Sequence, residues 1–195
     1  MTKSNILFFI LGAAFLMSCN GKKDEGEKAL EPLLTMPVKT DIVGAITDGT
    51  TMNTLQVVDA NGDTTTFDAS NNRFFGENKV GDSVTVSYIP IDNELVSSTI
   101  INMKSLQHTW ALDNTEDGSK QYLEIDPHGF AHLYINKKES NKYQRWEIND
   151  GNLILIPPAD SVKTVKNDTL EITALNADTL TVRKDGKELK YWRYN

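Results

Sequence analysis

The stretch from Gln121 to Ile156 constrains the fold more than any other part of the chain. It reads QYLEID, PHG, FAHLYIN, KKESNK, YQRWEI, NDG and NLILI, so that short runs of strand-forming residues alternate with turn residues. That is the pattern of consecutive antiparallel hairpins. Apolar side chains recur at every second position: Leu123 with Ile125, Ala131 with Leu133 and Ile135, Trp146 with Ile148. A period of two places them on one face of a sheet. Leu153 to Ile156 is apolar on both faces and needs cover on both. Pro157-Pro158 ends that run, because proline supplies no ladder donor.

The same grammar continues on either side. His108 to Leu112 forms a short strand before Asp117-Gly118. A run from Ser161 (Val162, Thr164, Val165) follows the prolines, and then come TLEITA, TLTVR and ELKYWRY. Turns at Asn167-Asp168, Asn176 to Asp178 and Asp185-Gly186 separate them. About eight strands joined by nearest-neighbour hairpins favour an up-and-down meander, and closing it removes the exposed edges. Residues 105–195 are therefore expected to form a small closed barrel.

Upstream, residues 38–104 hold five further runs: Ile42 to Ile46, Thr54 to Asp59, Asp63 to Phe67, Ser83 to Ile89 and Glu94 to Asn102. Asn61-Gly62 is a tight-turn signal between the second and third. The segment DASNNRFFGENKVGD after the third reads as irregular or a single helical turn. Five strands broken after the third suit an OB-like barrel. Gly44, Ala45 and Ile46, and the segment from Gly81 to Tyr88, resemble small bacterial OB-type modules. OB folds often take oligonucleotides, and Phe74 and Phe75 beside Arg73 could stack on bases. The cations here are only Lys39, Arg73, Lys79 and Lys104, so nucleic acid is not an expected partner, and one phenylalanine is expected to plug the barrel end.

In the second domain a resemblance appears. Trp110 on the first strand, Gly129, Ala131, Ile135 and Asn136, then Tyr143 and Trp146, and finally Tyr191 and Arg193, look like the lipocalin-like domains of Gram-negative lipoproteins. The resemblance implies that Trp110 packs against Arg193. His108 stands where a glycine is usual, and the domain is short for a lipocalin. The candidate ligand-lining or barrel-core residues are Trp110, Leu123, Leu133, Trp146, Ile148, Tyr191 and Arg193. An OB-like barrel beside a lipocalin-like one is similar to envelope-stress lipoproteins associated with copper resistance, although the order is reversed here and no Cys-x-x-Cys is present.

The beginning of the chain supplies an address. Lys3 precedes an apolar run from Ile6 to Met17, too short for a span of about 20 residues but suited to a signal-peptide core. Leu16, Met17, Ser18 and Cys19 resemble the lipobox of bacterial lipoproteins, which implies cleavage before Cys19 and acylation of its thiol. Residues 1–18 are then a signal peptide, and residues 19–37 a lipidated cysteine with a polar, proline-containing tether. Lys23-Asp24-Glu25 resembles the export signal of surface lipoproteins. The expected location is the outer membrane, on its periplasmic or surface face. Cys19 is the only cysteine, so disulfides and thiolate chemistry are excluded once it is acylated.

The formal charge of −7 also disfavours nucleic acid and anionic lipid surfaces. No nucleophile elbow, phosphate loop or dinucleotide fingerprint appears. His128 and His132, with Asp126, are spaced like a metal pair but fall in a turn and a strand, where they do not converge. The chain is expected to be a non-enzyme with no cofactor and no metal. Asp-Ser/Thr-aliphatic triplets at Asp82, Asp160, Asp168 and Asp178 resemble bacterial O-glycosylation acceptors and equally fit a turn entering a strand. The functional expectation is a membrane-anchored binding or accessory module for a small apolar or glycan-like ligand or an envelope protein. The alternative is a structural or envelope-stress interaction protein with filled barrels and no small ligand.

Overall fold

A computed structural model of the chain describes residues 39–112, 115, 118–159 and 166–194. The signal peptide, Cys19, the tether, Asp117 and the run from Ser161 lie outside the described residues.

The first sheet contains β1 (Thr40–Ile46), β2 (Thr54–Val58), β3 (Thr64–Asp68), β4 (Arg73–Phe75), β5 (Ser83–Ile91) and β6 (Glu94–Asn102). Its order is β3-β2-β1-β5-β6-β4, and an added β3–β6 pairing closes five of the strands into a barrel. The closing contact is parallel, with Asp68 opposite Val96, and the Ser97 hydroxyl donates to the Asp68 carbonyl at 2.8 Å. Period-two burial fills the interior with Ile46, Leu55, Val57, Phe67, Val84, Val86 and Ile100. The OB-like expectation holds at the level of a closed five-stranded barrel. The segment read as irregular contains β4, which pairs in parallel with Thr99 to Ile101 of β6.

A single turn, α1 (Met103–Leu106), leads out of the barrel. Asn102 caps it by accepting from the Ser105 backbone N–H at 2.8 Å, satisfying a donor that would otherwise lack a partner.

The second sheet contains β7 (Thr109–Leu112), β8 (Gln121–Ile125), β9 (Ala131–Ile135), β10 (Lys138–Ser140), β11 (Arg145–Asn149), β12 (Asn152–Ile156), β13 (Asp168–Leu175), β14 (Thr179–Lys184) and β15 (Lys187–Arg193). Every consecutive pair is hydrogen-bonded except β10 and β11, and β15 pairs back onto β7. Tight turns set the registers. Asp150 and Gly151, and Asp185 and Gly186, all have positive φ, as two-residue hairpins of the right twist require.

The expected closed lipocalin-type barrel is not what forms. The sheet is nine-stranded and open, a half-barrel whose edges β10 and β11 do not pair. The flanks meet through one isolated bridge, Phe130 with Arg145. The reason lies at the edges. β10 has three residues, Lys-Glu-Ser, with Lys138 and Glu139 exposed, and β11 exposes Arg145 and Glu147. Short, charged strands resist further pairing.

The half-barrel is filled partly from outside itself. Its core joins Trp110, Leu123, Ile125, Trp146, Leu153, Leu155, Leu170, Ile172, Leu180, Val182 and Tyr191 with Phe75, Ile101 and Leu106 from the preceding β4, β6 and α1. Phe74 packs on the first core, while its neighbour Phe75 enters the second. Polar contacts follow the same seam. The Gly76 N–H donates to the Leu175 carbonyl at 3.0 Å, and the Asp150 N–H donates to Asp41 Oδ2 at 2.7 Å. Gly151 lies against Thr99 so closely that an added Cβ would meet Thr99 Cβ at 3.0 Å.

Candidate functional site

The interior of the half-barrel is where the resemblance would put a ligand. Alternation on β7, β8, β9, β11 and β15 turns Trp110, Leu123, Leu133, Trp146 and Tyr191 inward, and all five are buried. Trp110 is wholly enclosed, and its indole N–H donates to the Leu106 carbonyl at 2.8 Å. The Trp146 indole donates to the Asp126 carbonyl at 2.8 Å. Ile148 is only partly buried, packed on the edge of the core. Arg193 stands opposite Trp110 in the ladder; it is exposed, with its guanidinium 3.4 Å from the Ala177 carbonyl.

The void found there among the described residues is small. It measures about 90 Å³ and lies among Leu112, Leu123, Leu133, Leu155, Leu170 and Tyr191. Pockets for ligands of ordinary size run to about 300–1,000 Å³. Trp146 and Ile148 do not line this void; they line a shallower groove of about 490 Å³ that also takes in Val43 and Met103.

The rim of the void carries a polar cluster that the linear sequence conceals. Asp168 accepts from the Tyr143 hydroxyl, and its carboxylate lies 2.5 Å from Lys184 Nζ and 3.3 Å from Lys142 Nζ. Burial opposes ionisation of Asp168, but the bonds from Lys184 and Tyr143 outweigh it and hold the carboxyl below its ordinary value. Burial, with the Asp168 charge beside it, pushes the Tyr143 phenol well above the usual range. Burial first, then Asp168, pushes Tyr191 up to about 12. Both phenols stay protonated at neutral pH, and Tyr143 acts as a hydrogen-bond donor. All three contacts fall on one oxygen, Asp168 Oδ2.

The two histidines are held apart. His128 Nδ1 lies 3.2 Å from Asp126 Oδ2, and His132 Nδ1 lies 2.8 Å from Glu139 Oε1. Among the described residues no group of three or more His, Cys, Asp or Glu could hold a metal ion. Of the Asp-Ser/Thr triplets, Ser83 and Thr169 are exposed, whereas Thr179 is buried.

A site that strand reading does not reveal lies on the first barrel. An open groove of about 650 Å³ runs along the β3–β6 closure between Asn53, Thr66, Asp68, Ser70, Asn93 and Glu94. Two of these are carboxylates and no lysine or arginine lines the groove, so a phosphate backbone would meet repulsion there. The groove exists only because a parallel contact brings β3 to β6, and no local pattern announces such a pairing.

Fold and site together define an all-β module. Residues 102–194 match the lipocalin-like family model. The match starts at the end of β6 and covers α1 and the whole nine-stranded sheet. No curated protein and no solved structure matches the chain. Residues 102–194 are thus similar to the lipocalin-like family in sequence, with an open half-barrel in place of the closed one.

Proposed function

We propose that this protein is a lipid-anchored interaction module of the bacterial outer membrane, which works through its surface on another envelope protein and holds no small ligand in its interior. The observation that carries this reading is the filled half-barrel. Its void of about 90 Å³ is far below ligand size, and Phe75, Ile101 and Leu106 add to the apolar core of the half-barrel. The anchor rests on the run before Cys19 and on that single thiol.

Native mass spectrometry of protein purified from its own host tests the reading. The expected species is the acylated chain, alone or with a protein partner, and with no small molecule attached. A stoichiometric apolar ligand that survives in the purified protein would refute it. The anchor has its own test: Cys19→Ala should abolish lipid labelling and move the protein out of the membrane fraction.

A further inference from the structure

The outer face of the half-barrel carries a feature that the interior does not explain. Side chains pointing away from the core on β8, β9 and β15 are aromatic to an unusual degree. Tyr122 and Tyr134 face each other across the β8–β9 ladder. The Tyr194 ring meets Tyr122 edge to face, with centroids 4.8 Å apart. These three rings, with Thr109, Glu124 and Lys137, form an open groove of about 400 Å³. Along β9 the strip continues through His132 to Phe130, each ring centroid 6.5 Å from the next. Phe130 is 44% exposed and Tyr194 55%. Isolated surface aromatics are ordinary, but a contiguous row of them on one sheet face marks a contact surface.

The charges in the groove select the occupant. An anion would meet Glu124 and a cation would meet Lys137, so neither charged class is favoured. A neutral ligand with an apolar face and a hydroxylated edge is favoured. Aromatic ring faces are electron-rich and attract weakly positive C–H groups. Phenol hydroxyls, a carboxylate and an ammonium at the borders supply donors and acceptors for hydroxyl groups. The Tyr134 hydroxyl already donates to Glu124 at 3.2 Å, which fixes that carboxylate in the groove. Pyranose rings combine a C–H face with a hydroxyl edge. The three rings along β9, each 6.5 Å from the next, extend the surface beyond the tyrosine groove and suit a chain of pyranoses better than a single sugar.

We propose that this face is a binding platform for a neutral, linear glycan, seated on Tyr122, Tyr134 and Tyr194 and extending along β9 toward Phe130. The platform lies on the opposite side of the sheet from the filled interior and does not depend on the reading of that interior.

The test titrates the full chain carrying Cys19→Ala with four linear probes: chitohexaose, cellohexaose, maltohexaose and mannohexaose. At least one should bind, with amide and ring NMR shifts confined to β8, β9 and Tyr194. Tyr194→Ala and Tyr122→Ala should each weaken that binding about tenfold. Tyr194→Phe, which keeps the ring, should stay within about threefold. Met52→Ala, on a wholly exposed side chain of the first barrel, should change nothing. A thermal melt confirms that each variant is folded, and Tyr194 is exposed enough for its alanine variant to fold. Binding by none of the four probes at millimolar concentration overturns the proposal, and so does binding indifferent to Tyr194→Ala. A parallel arm offers vesicles of phosphatidylethanolamine and phosphatidylglycerol. Vesicle binding that needs Tyr194 while no oligosaccharide binds overturns it in favour of a membrane-facing surface.

Discussion

The two sheets answer the same problem, a β-sheet with two open edges, in different ways. The first sheet closes on its own backbone through the β3–β6 contact, and its core is drawn from its own strands. The second leaves β10 and β11 unpaired with each other and fills its interior with help from β4, β6 and α1. Closure by backbone removes the edges and leaves the barrel self-sufficient. Closure by a borrowed side-chain plug makes the half-barrel depend on what precedes it. The lipocalin-like sequence thus forms an open half-barrel whose core is shared with the preceding strands.

Trp110→Ala should break the half-barrel most severely. The side chain is wholly enclosed, and its indole holds the Leu106 carbonyl. Its loss should cost about 3–5 kcal/mol, read as a drop in the urea midpoint. Phe75→Ala sharpens the comparison further. The residue lies in the first sheet by sequence and in the second core by packing. About 3 kcal/mol should be lost. Native-state hydrogen exchange should rise in β7 to β15 more than in β1 to β3. If protection fell mainly in the first sheet, the plug would not be what supports the half-barrel.

That residue also shows where sequence reading stops. The alternation of Leu123 and Ile125, or of Val84 and Val86, is a local signal, and so are the turns at Asp150-Gly151 and Asp185-Gly186. These determine strands and hairpins, so most of both sheets was legible. Whether a sheet closes depends on contacts between strands distant in the chain. The parallel β3–β6 pairing and the unmade β10–β11 pairing leave no periodic trace. Arg73 to Phe75 is too short to show a period, and nothing local says that Phe74 and Phe75 serve different cores. The polar rim was hidden for the same reason. Asp168 is far along the chain from Lys142 and Tyr143, and it reads locally as a turn residue. The outer tyrosines were visible as residues, but their convergence across β8 and the end of β15 was not.

The rim makes a pH prediction for the half-barrel alone. The Asp168 carboxyl is held below its ordinary value in the folded chain, so the unfolded state binds its proton first as pH falls. The stabilisation is therefore present above the unfolded value of about 3.9 and is lost as pH drops through the lower folded value. Asp168→Asn should cost about 1–2 kcal/mol at neutral pH. The gap between variant and wild type should narrow below about pH 4. A gap that stayed constant down to pH 2 would mean that packing around the Tyr143 hydroxyl, not the charge of Asp168, supports the rim.

The smallest effect is expected where the two sheets touch through exposed charge. Lys39 Nζ, just before β1, lies 2.6 Å from Asp150 Oδ1 and donates to the Asp150 carbonyl at 3.0 Å, yet the Asp150 side chain is 57% exposed. Exposed pairs contribute about 0–1 kcal/mol, because water and salt screen them and two side chains must be ordered. The turn has stronger restraints. Its Asp150 N–H donates to Asp41, and Gly151 packs on Thr99 without room for a side chain. Lys39→Ala should therefore shift stability by about 0.5 kcal/mol or less, and less again near 1 M salt, where the screening length is about 3 Å. A loss above about 1.5 kcal/mol would mean that charge, not the plug of Phe75, Ile101 and Leu106, holds the half-barrel to the closed one.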